Sequence, residues 1–187
     1  MEAATILGGF GGQGILFAGQ VLAQAGLAED RYVSWLPSYG PEMRGGTASC
    51  TVIVADGPIG SPIVDVADAV IALNPPSLAK FESLLAPGGL LVLNSSLIEA
   101  EPTRDDIEVV RVPCSAEARV IGDDRLVSVI ALGALLARRT LVGPDAVRAA
   151  LSAQAGRGGD ELVELNRRAL AGGTEHGTVA PVPCPAV

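Results

Sequence analysis

The chain has 187 residues, enough for one domain with a full core. Its formal net charge is −8, and no cluster of Lys and Arg offsets it, which argues against a nucleic-acid partner. Hydrophobic residues make up 49% and mean hydropathy is +0.41, yet no run of about 18 apolar residues exists to span a membrane. No basic segment leads an apolar run at the N-terminus, so a cytoplasmic location is expected. Aromatic residues are only 3% and charged ones 18%, which predicts a core of Ala, Val and Leu under a weakly charged surface. A GC-rich genome favours that composition; so does a surface covered by partner chains.

Strand one is expected at Ala3 to Gly8. The glycine run of Gly8 to Gly14 (GGFGGQG) follows, and helix one covers Ile15 to Leu27. That order places backbone N–H groups at a helix N-terminus, where phosphate binds well. Gly9, Gly11 and Gly14 fit G-x-G-x-x-G, the spacing for a tight turn, close ligand approach and close helix–strand packing. The same glycines can serve the turn alone, but Gln13 adds a side-chain amide to it. A dinucleotide site needs an acid at the end of strand two. Glu29 and Asp30 instead precede that strand, which covers Tyr32 to Leu36, so NAD is disfavoured.

The segment SYGPEMRGG, Ser38 to Gly46, follows strand two. On a parallel sheet it falls on the same edge as the glycine turn. It presents a phenol (Tyr39), a carboxylate (Glu42) and a guanidinium (Arg44). Gly40, Gly45 and Gly46 permit unusual backbone angles, and Pro41 fixes one. A surface Glu42–Arg44 pair is the plainer reading. Such a pair is worth about 0–1 kcal/mol and leaves the glycine pattern without a reason.

Strand three is expected at Thr47 to Ala55, with Asp56-Gly57 as a turn, and strand four at Ala69 to Leu73. Asn74-Pro75-Pro76-Ser77 starts a helix that ends near Ala86 to Gly89. Strands follow at Leu90 to Asn94 and Ile107 to Val112. Leu126 to Ala137 is an apolar helix, and Gly133 inside it marks a close helix contact. Two amphipathic helices cover Pro144 to Ala153 and Glu161 to Ala171. The expected fold is α/β: a Rossmann-like layered, mostly parallel sheet flanked by helices, with a helical C-terminal third. Residues 1–172 form the domain, and 173–187 an extended Gly/Pro-rich tail.

Cys50, Cys114 and Cys184 stand alone, with no C-x-x-C to hold an iron–sulfur cluster or zinc. Cys50 reads as a small core residue, Cys114, after Pro113 near a strand end, as a weak candidate for a reactive thiol, and Cys184 as exposed. The only histidine, His176, lies near the C-terminus, so histidine-based hydrolysis and metal binding are disfavoured. A chain so equipped takes part in catalysis by holding a cofactor or completing a shared site. A free-standing nucleotide-binding oxidoreductase and a non-catalytic assembly module are the other readings.

GFGGQG, SYGPE-x-RGG and the IGSP at Ile59 occur in order. ALNPPSLAKF (Ala72 to Phe81), APGGLLVLNSSLI (Ala86 to Ile98) and VIALGALL (Val129 to Leu136) follow. Together they resemble the gamma subunit, or gamma domain, of 2-oxoacid:ferredoxin oxidoreductases, over about Thr5 to Gly172. The resemblance implies a complex that oxidatively decarboxylates a 2-oxoacid with thiamine diphosphate and coenzyme A. Electrons would pass through iron–sulfur clusters to ferredoxin or another acceptor. It implies partner subunits that bind thiamine diphosphate and the 2-oxoacid, and a ferredoxin-like iron–sulfur subunit. This chain would hold no cofactor alone, but would form a wall of the active-site cleft and part of the coenzyme A channel. Gly9, Gly11, Gly12, Gln13 and Gly14 would be the anion turn. Tyr39, Gly40, Glu42, Arg44, Gly45 and Gly46 would be the cleft loop, with Arg44 the contact to phosphate or carboxylate. The loop resembles the 2-oxoglutarate and pyruvate/2-oxoisovalerate branches, and 2-oxoglutarate is the expected substrate; an aryl-2-oxoacid of the phenylglyoxylate type and pyruvate are the alternatives. Gly122-Asp123-Asp124 and Ser128 depart from the family pattern, in which asparagine is common at both places.

Overall fold

The apolar runs at Ala69 and Leu90 become inner strands of a six-stranded sheet, where both faces must be dry. The computed structural model describes residues 1–39, 47–155 and 158–178. The elements run β1 (Glu2–Phe10), α1 (Ile15–Ala28), β2 (Tyr32–Tyr39), β3 (Thr47–Ala55), β4 (Ala67–Ala72) and α2 (Pro75–Phe81). β5 (Leu85–Asn94), β6 (Glu108–Val112), α3 (Cys114–Ile121), α4 (Val127–Arg138), α5 (Pro144–Ala155) and α6 (Asp160–Thr178) follow. Strand order is β2-β3-β1-β4-β5-β6. Only β3 runs against the rest: it pairs antiparallel with β1 and β2, while β1, β4, β5 and β6 pair in parallel. The mostly parallel α/β sheet expected from the sequence is present.

Alternation along the inner strands divides the core. Ala69, Ile71, Leu90 and Val92 point into one cluster, with α1, α3, α4, α5 and α6. Val70, Ala72, Leu91 and Leu93 point into a smaller one, with Leu78 and Phe81 of α2. Five helices thus cover one face and one short helix part of the other.

Several boundaries move for physical reasons. β2 continues through Pro37 to Tyr39, because an edge strand tolerates a residue without an N–H. α2 stops at Phe81, and β5 starts at Leu85 with a register shift against β4 near Gly88, whose φ is +74°. α3 was not legible as a helix from the strand pattern before it. Its C-terminal signal is Gly122, left-handed at φ +114°.

The largest correction concerns the tail. Gly172 to Thr178 is not extended but continues α6, which packs across α4. The glycines there are contact surfaces rather than flexible punctuation. A Cβ on Gly177 would come 2.6 Å from the Ala134 carbonyl oxygen, and one on Gly173 would strike the Ile130 carbonyl. Gly133 meets the Leu170 carbonyl in the same way, which is the close helix contact expected of it. His176 Nε2 lies 3.3 Å from Glu117 Oε1 on α3. The remaining tail residues, 179–187, lie outside the described residues.

This crossing predicts a contrast between adjacent glycines. Gly173→Ala forces α6 away from a backbone carbonyl, at the cost of about 1–3 kcal/mol typical of overpacking. Gly172→Ala meets open space and stabilises by up to about 1 kcal/mol through helix propensity. Urea unfolding of the two variants reads the difference, and equal midpoints would contradict the packing.

Candidate functional site

Gly9, Gly11, Gly12, Gln13 and Gly14 lie between the end of β1 and the start of α1, at the edge where the parallel strands end. Gly14 is the N-cap of α1, left-handed at φ +78°, and no side chain caps the helix. The first-turn amides of α1 therefore face this end without a side-chain acceptor. Gly12 is also at positive φ, +96°, with open space where a side chain would stand. Gly11 and Gly12 form an exposed tip.

Gln13 shapes the turn. Its Oε1 accepts a hydrogen bond from Phe10 N at 2.7 Å, while its own N–H donates to the Phe10 carbonyl at 3.2 Å. Gly9 lacks a side chain because a Cβ there would come 2.7 Å from that Oε1. The carbonyl oxygen of Gln13 is thus committed to the fold of the loop.

The second motif reaches the same edge. Tyr39 pairs with Ala48, which pairs on its other side with Gly9, and Phe10 pairs with Thr47. The segment between β2 and β3 therefore leaves and returns beside the glycine turn, within two strand spacings, or about 10 Å. The backbone of Tyr39 is placed by β2. Gly40, Glu42, Arg44, Gly45 and Gly46 lie outside the described residues.

Sequence reasoning missed the far wall of this crevice. β4 delivers Asn74 and Ser77 beside Gly8, where a Cβ would come 2.9 Å from Ser77 Oγ and 2.7 Å from Phe81. Asn74 Oδ1 accepts from Ser77 N at 2.8 Å and caps α2. Its Nδ2 is buried without a partner, as is Ser77 Oγ. On the other side of the turn, Ser128 Oγ is buried and unpartnered where a Cβ on Gly14 would come 2.6 Å from it. Asn94 fastens this layer: its amide donates to the Leu73 carbonyl at 3.3 Å and to Ser115 Oγ at 2.9 Å. The readable signal was an Asn-Pro helix start directly after a buried parallel strand.

A nucleotide-binding arrangement of the dinucleotide type is absent among the described residues. β2 is separated from β1 by the antiparallel β3, so its end does not adjoin β1 as the second strand of a dinucleotide site does. Glu29 instead accepts from Gly143 N at 2.6 Å, far along the chain. Among the described residues no cluster of three potential metal ligands occurs, and no helix is long and apolar enough to cross a membrane.

The two described cysteines, Cys50 and Cys114, are buried and chemically quiet. Burial pushes the Cys50 thiol up to about 12. Burial raises the Cys114 thiol as well, which removes the reactive-thiol reading of that residue.

The family model for pyruvate ferredoxin/flavodoxin oxidoreductase matches residues 4–176. Ketoisovalerate oxidoreductase subunit VorA of Methanothermobacter thermautotrophicus is 37% identical over 175 residues, 93% of this chain but 36% of the relative. The chain thus spans about a third of that protein. The 2-oxoglutarate synthase subunit KorC of Methanocaldococcus jannaschii is 28% identical, covering 86% of this chain and 88% of its own. Among solved structures, the gamma subunit of a keto/oxoacid ferredoxin oxidoreductase from Geobacter sulfurreducens superposes with a TM-score of 0.85 at 29% identity. It covers 97% of this chain and 99% of that one.

Two measurements check the site as built. Gln13→Ala frees the Phe10 N–H and lowers stability by about 0.5–1.5 kcal/mol, the worth of one such bond; an unchanged unfolding midpoint would remove its structural role. In a C184S background, a maleimide at neutral pH should label neither Cys50 nor Cys114 in the folded protein and both in urea. A glycine turn, a Rossmann-like sheet and the matched family model agree over nearly the whole chain, which belongs to the pyruvate ferredoxin/flavodoxin oxidoreductase family.

Proposed function

We propose that this chain is the gamma subunit of a 2-oxoacid:ferredoxin oxidoreductase and completes the cleft in which partner subunits carry out the reaction. One observation carries the proposal: the exposed Gly11–Gly12 tip at the uncapped N-terminus of α1, flanked by both ends of the SYGPEMRGG loop. Helix amides without acceptors, held at a strand edge by Gln13, suit an anionic group such as the pyrophosphate of coenzyme A. The unpartnered hydroxyls and amide around the turn fit the same chemistry, since all can donate to phosphate or carboxylate oxygens.

Thiamine diphosphate and the iron–sulfur clusters belong in this reading to the partner subunits; coenzyme A, when bound, supplies the thiol that takes up the acyl group. The chain's own residues bind and orient. The α1 amides hold the anion, Gly11 and Gly12 leave room for its approach, and Arg44 supplies the one full positive charge of the cleft loop. Tyr39 and Glu42 set polar contacts beside it. Electrons leave through the cluster-bearing subunit to ferredoxin or another acceptor.

The substrate is a 2-oxoacid. The sequence favours 2-oxoglutarate, and the KorC relatives agree with it. The higher identity to a ketoisovalerate oxidoreductase subunit supports ketoisovalerate as the other candidate.

The test uses the anaerobically purified complex with a panel of 2-oxoacids. Arg44→Ala should lower kcat/KM for coenzyme A or the oxoacid by about ten-fold or more, the loss expected of a charged hydrogen bond of about 1.5–3 kcal/mol. Gln13→Glu keeps an acceptor for Phe10 N but adds negative charge beside the α1 amides, and should raise the coenzyme A KM with the fold intact. Normal kinetics in both variants would assign the chain to assembly alone. Recovery of the chain without partners would overturn the subunit reading.

A further inference from the structure

At the opposite end of the molecule from the glycine turn lies a second concavity. α4 begins beside Gly14 and ends where Arg138 and Arg139 meet Glu108 at the start of β6, at 3.3 and 2.9 Å. Between this end of α4, the start of α5 and the middle of α6 is a groove of about 660 Å³, open to solvent. That volume lies within the roughly 300–1,000 Å³ of ligand-binding clefts. Its floor is apolar, built from Leu136, Val142, Val147 and Leu170.

The rim carries the opposite charge to the rest of the chain. Arg148 stands on the α5 side and Arg167 and Arg168 on the α6 side, with Glu164 the only acid lining the groove. Three of thirteen basic residues thus meet at one groove of a chain with net charge −8. Arg148 and Arg167 pair only with neighbours on their own helices, Asp145 and Glu164, in exposed pairs that are easily exchanged. Arg168 makes no ion pair among the described residues. An apolar floor between two guanidinium borders is complementary to an amphipathic helix whose apolar face is flanked by carboxylates.

We propose that this groove docks such an acidic amphipathic helix from a partner polypeptide of the oxidoreductase complex. The proposal rests on the subunit reading above. Its apolar residues would enter between α4, α5 and α6, and its carboxylates would pair with Arg148, Arg167 and Arg168. Contacts of this kind speed association and set register, and they weaken with salt.

The test is association of the purified chain with the complex lacking it. Arg148→Glu, Arg167→Glu and Arg168→Glu combined should raise the Kd by about ten-fold or more and flatten its salt dependence, with the unfolding midpoint unchanged. A photo-crosslinker attached at Ala171→Cys should capture an acidic helical segment of a partner subunit. An unchanged Kd in the triple variant, while the unmodified chain binds, would overturn the groove alone. So would a cross-link to residues 179–187 of the same chain or to a second copy. No association of the unmodified chain would overturn the subunit reading and the groove's occupant with it.

Discussion

The arrangement depends on the absence of side chains where β1 ends. At Gly8 the sheet is approached by Ser77 and Phe81 of α2 from one face. At Gly14 the chain is approached by Ser128 of α4 and by the Arg125 carbonyl in the turn just before that helix, from the other. A Cβ at either place would push a helix off the strand ends. With both removed, the starts of α1, α2 and α4 converge on one crevice. Close packing, rather than any single bond, shapes the crevice: the same glycines that admit α2 and α4 leave the N-terminal amides of α1 at its edge.

Small residues play an equivalent part at the back of the fold. Gly133, Gly173 and Gly177 let α6 cross α4 almost backbone to backbone. A core with few aromatics lends itself to this, since Ala, Val and Leu fill thin layers without large gaps. Phe81 of α2 is buried, and the half-buried Trp35 lies near Cys50 and Gly19, where the missing Cβ makes room for the indole. Buried cysteines in such layers serve as small apolar residues, which is why their thiols are raised by burial instead of activated.

Where periodicity is local, the sequence was legible. β3 was read with its full bounds, since its flanking glycines and the Asp56-Gly57 turn delimit it. The glycine turn, the Asn74 cap and the role of Gly133 were likewise readable, because each is a short-range signal. Legibility failed where tertiary context decides. Pro37 was read as a strand end, but the edge position of β2 makes its missing N–H harmless. Gly172, Gly173 and Gly177 were read as tail residues, yet their helical state depends on α4, more than thirty residues away. Ser77 carried no signal as a site residue and Ser128 stood out only as a departure from the family pattern, since the place of both follows from the folding of Gly8 and Gly14 against them. The antiparallel insertion of β3 could not be read from strand composition, and it is what separates this crevice from a dinucleotide site.

The two ends of α4 border the two proposed sites. Its N-terminus abuts the glycine turn, and its C-terminal turn, with Leu136 and Ala137, borders the arginine-rimmed groove. Twelve helical residues span about 18 Å, so a contact at one end does not touch the other. Changes that far apart with no shared partners act independently unless the helix itself shifts. The glycine crossing with α6 resists such a shift, because movement of α4 along its axis would drive the Ile130 and Ala134 carbonyls into the α6 backbone. A ligand-facing edge can therefore stay in place while the opposite end is held by another chain. On the proposed reading, that separation lets a chain whose own residues position rather than react be gripped at one end without distortion of the crevice at the other.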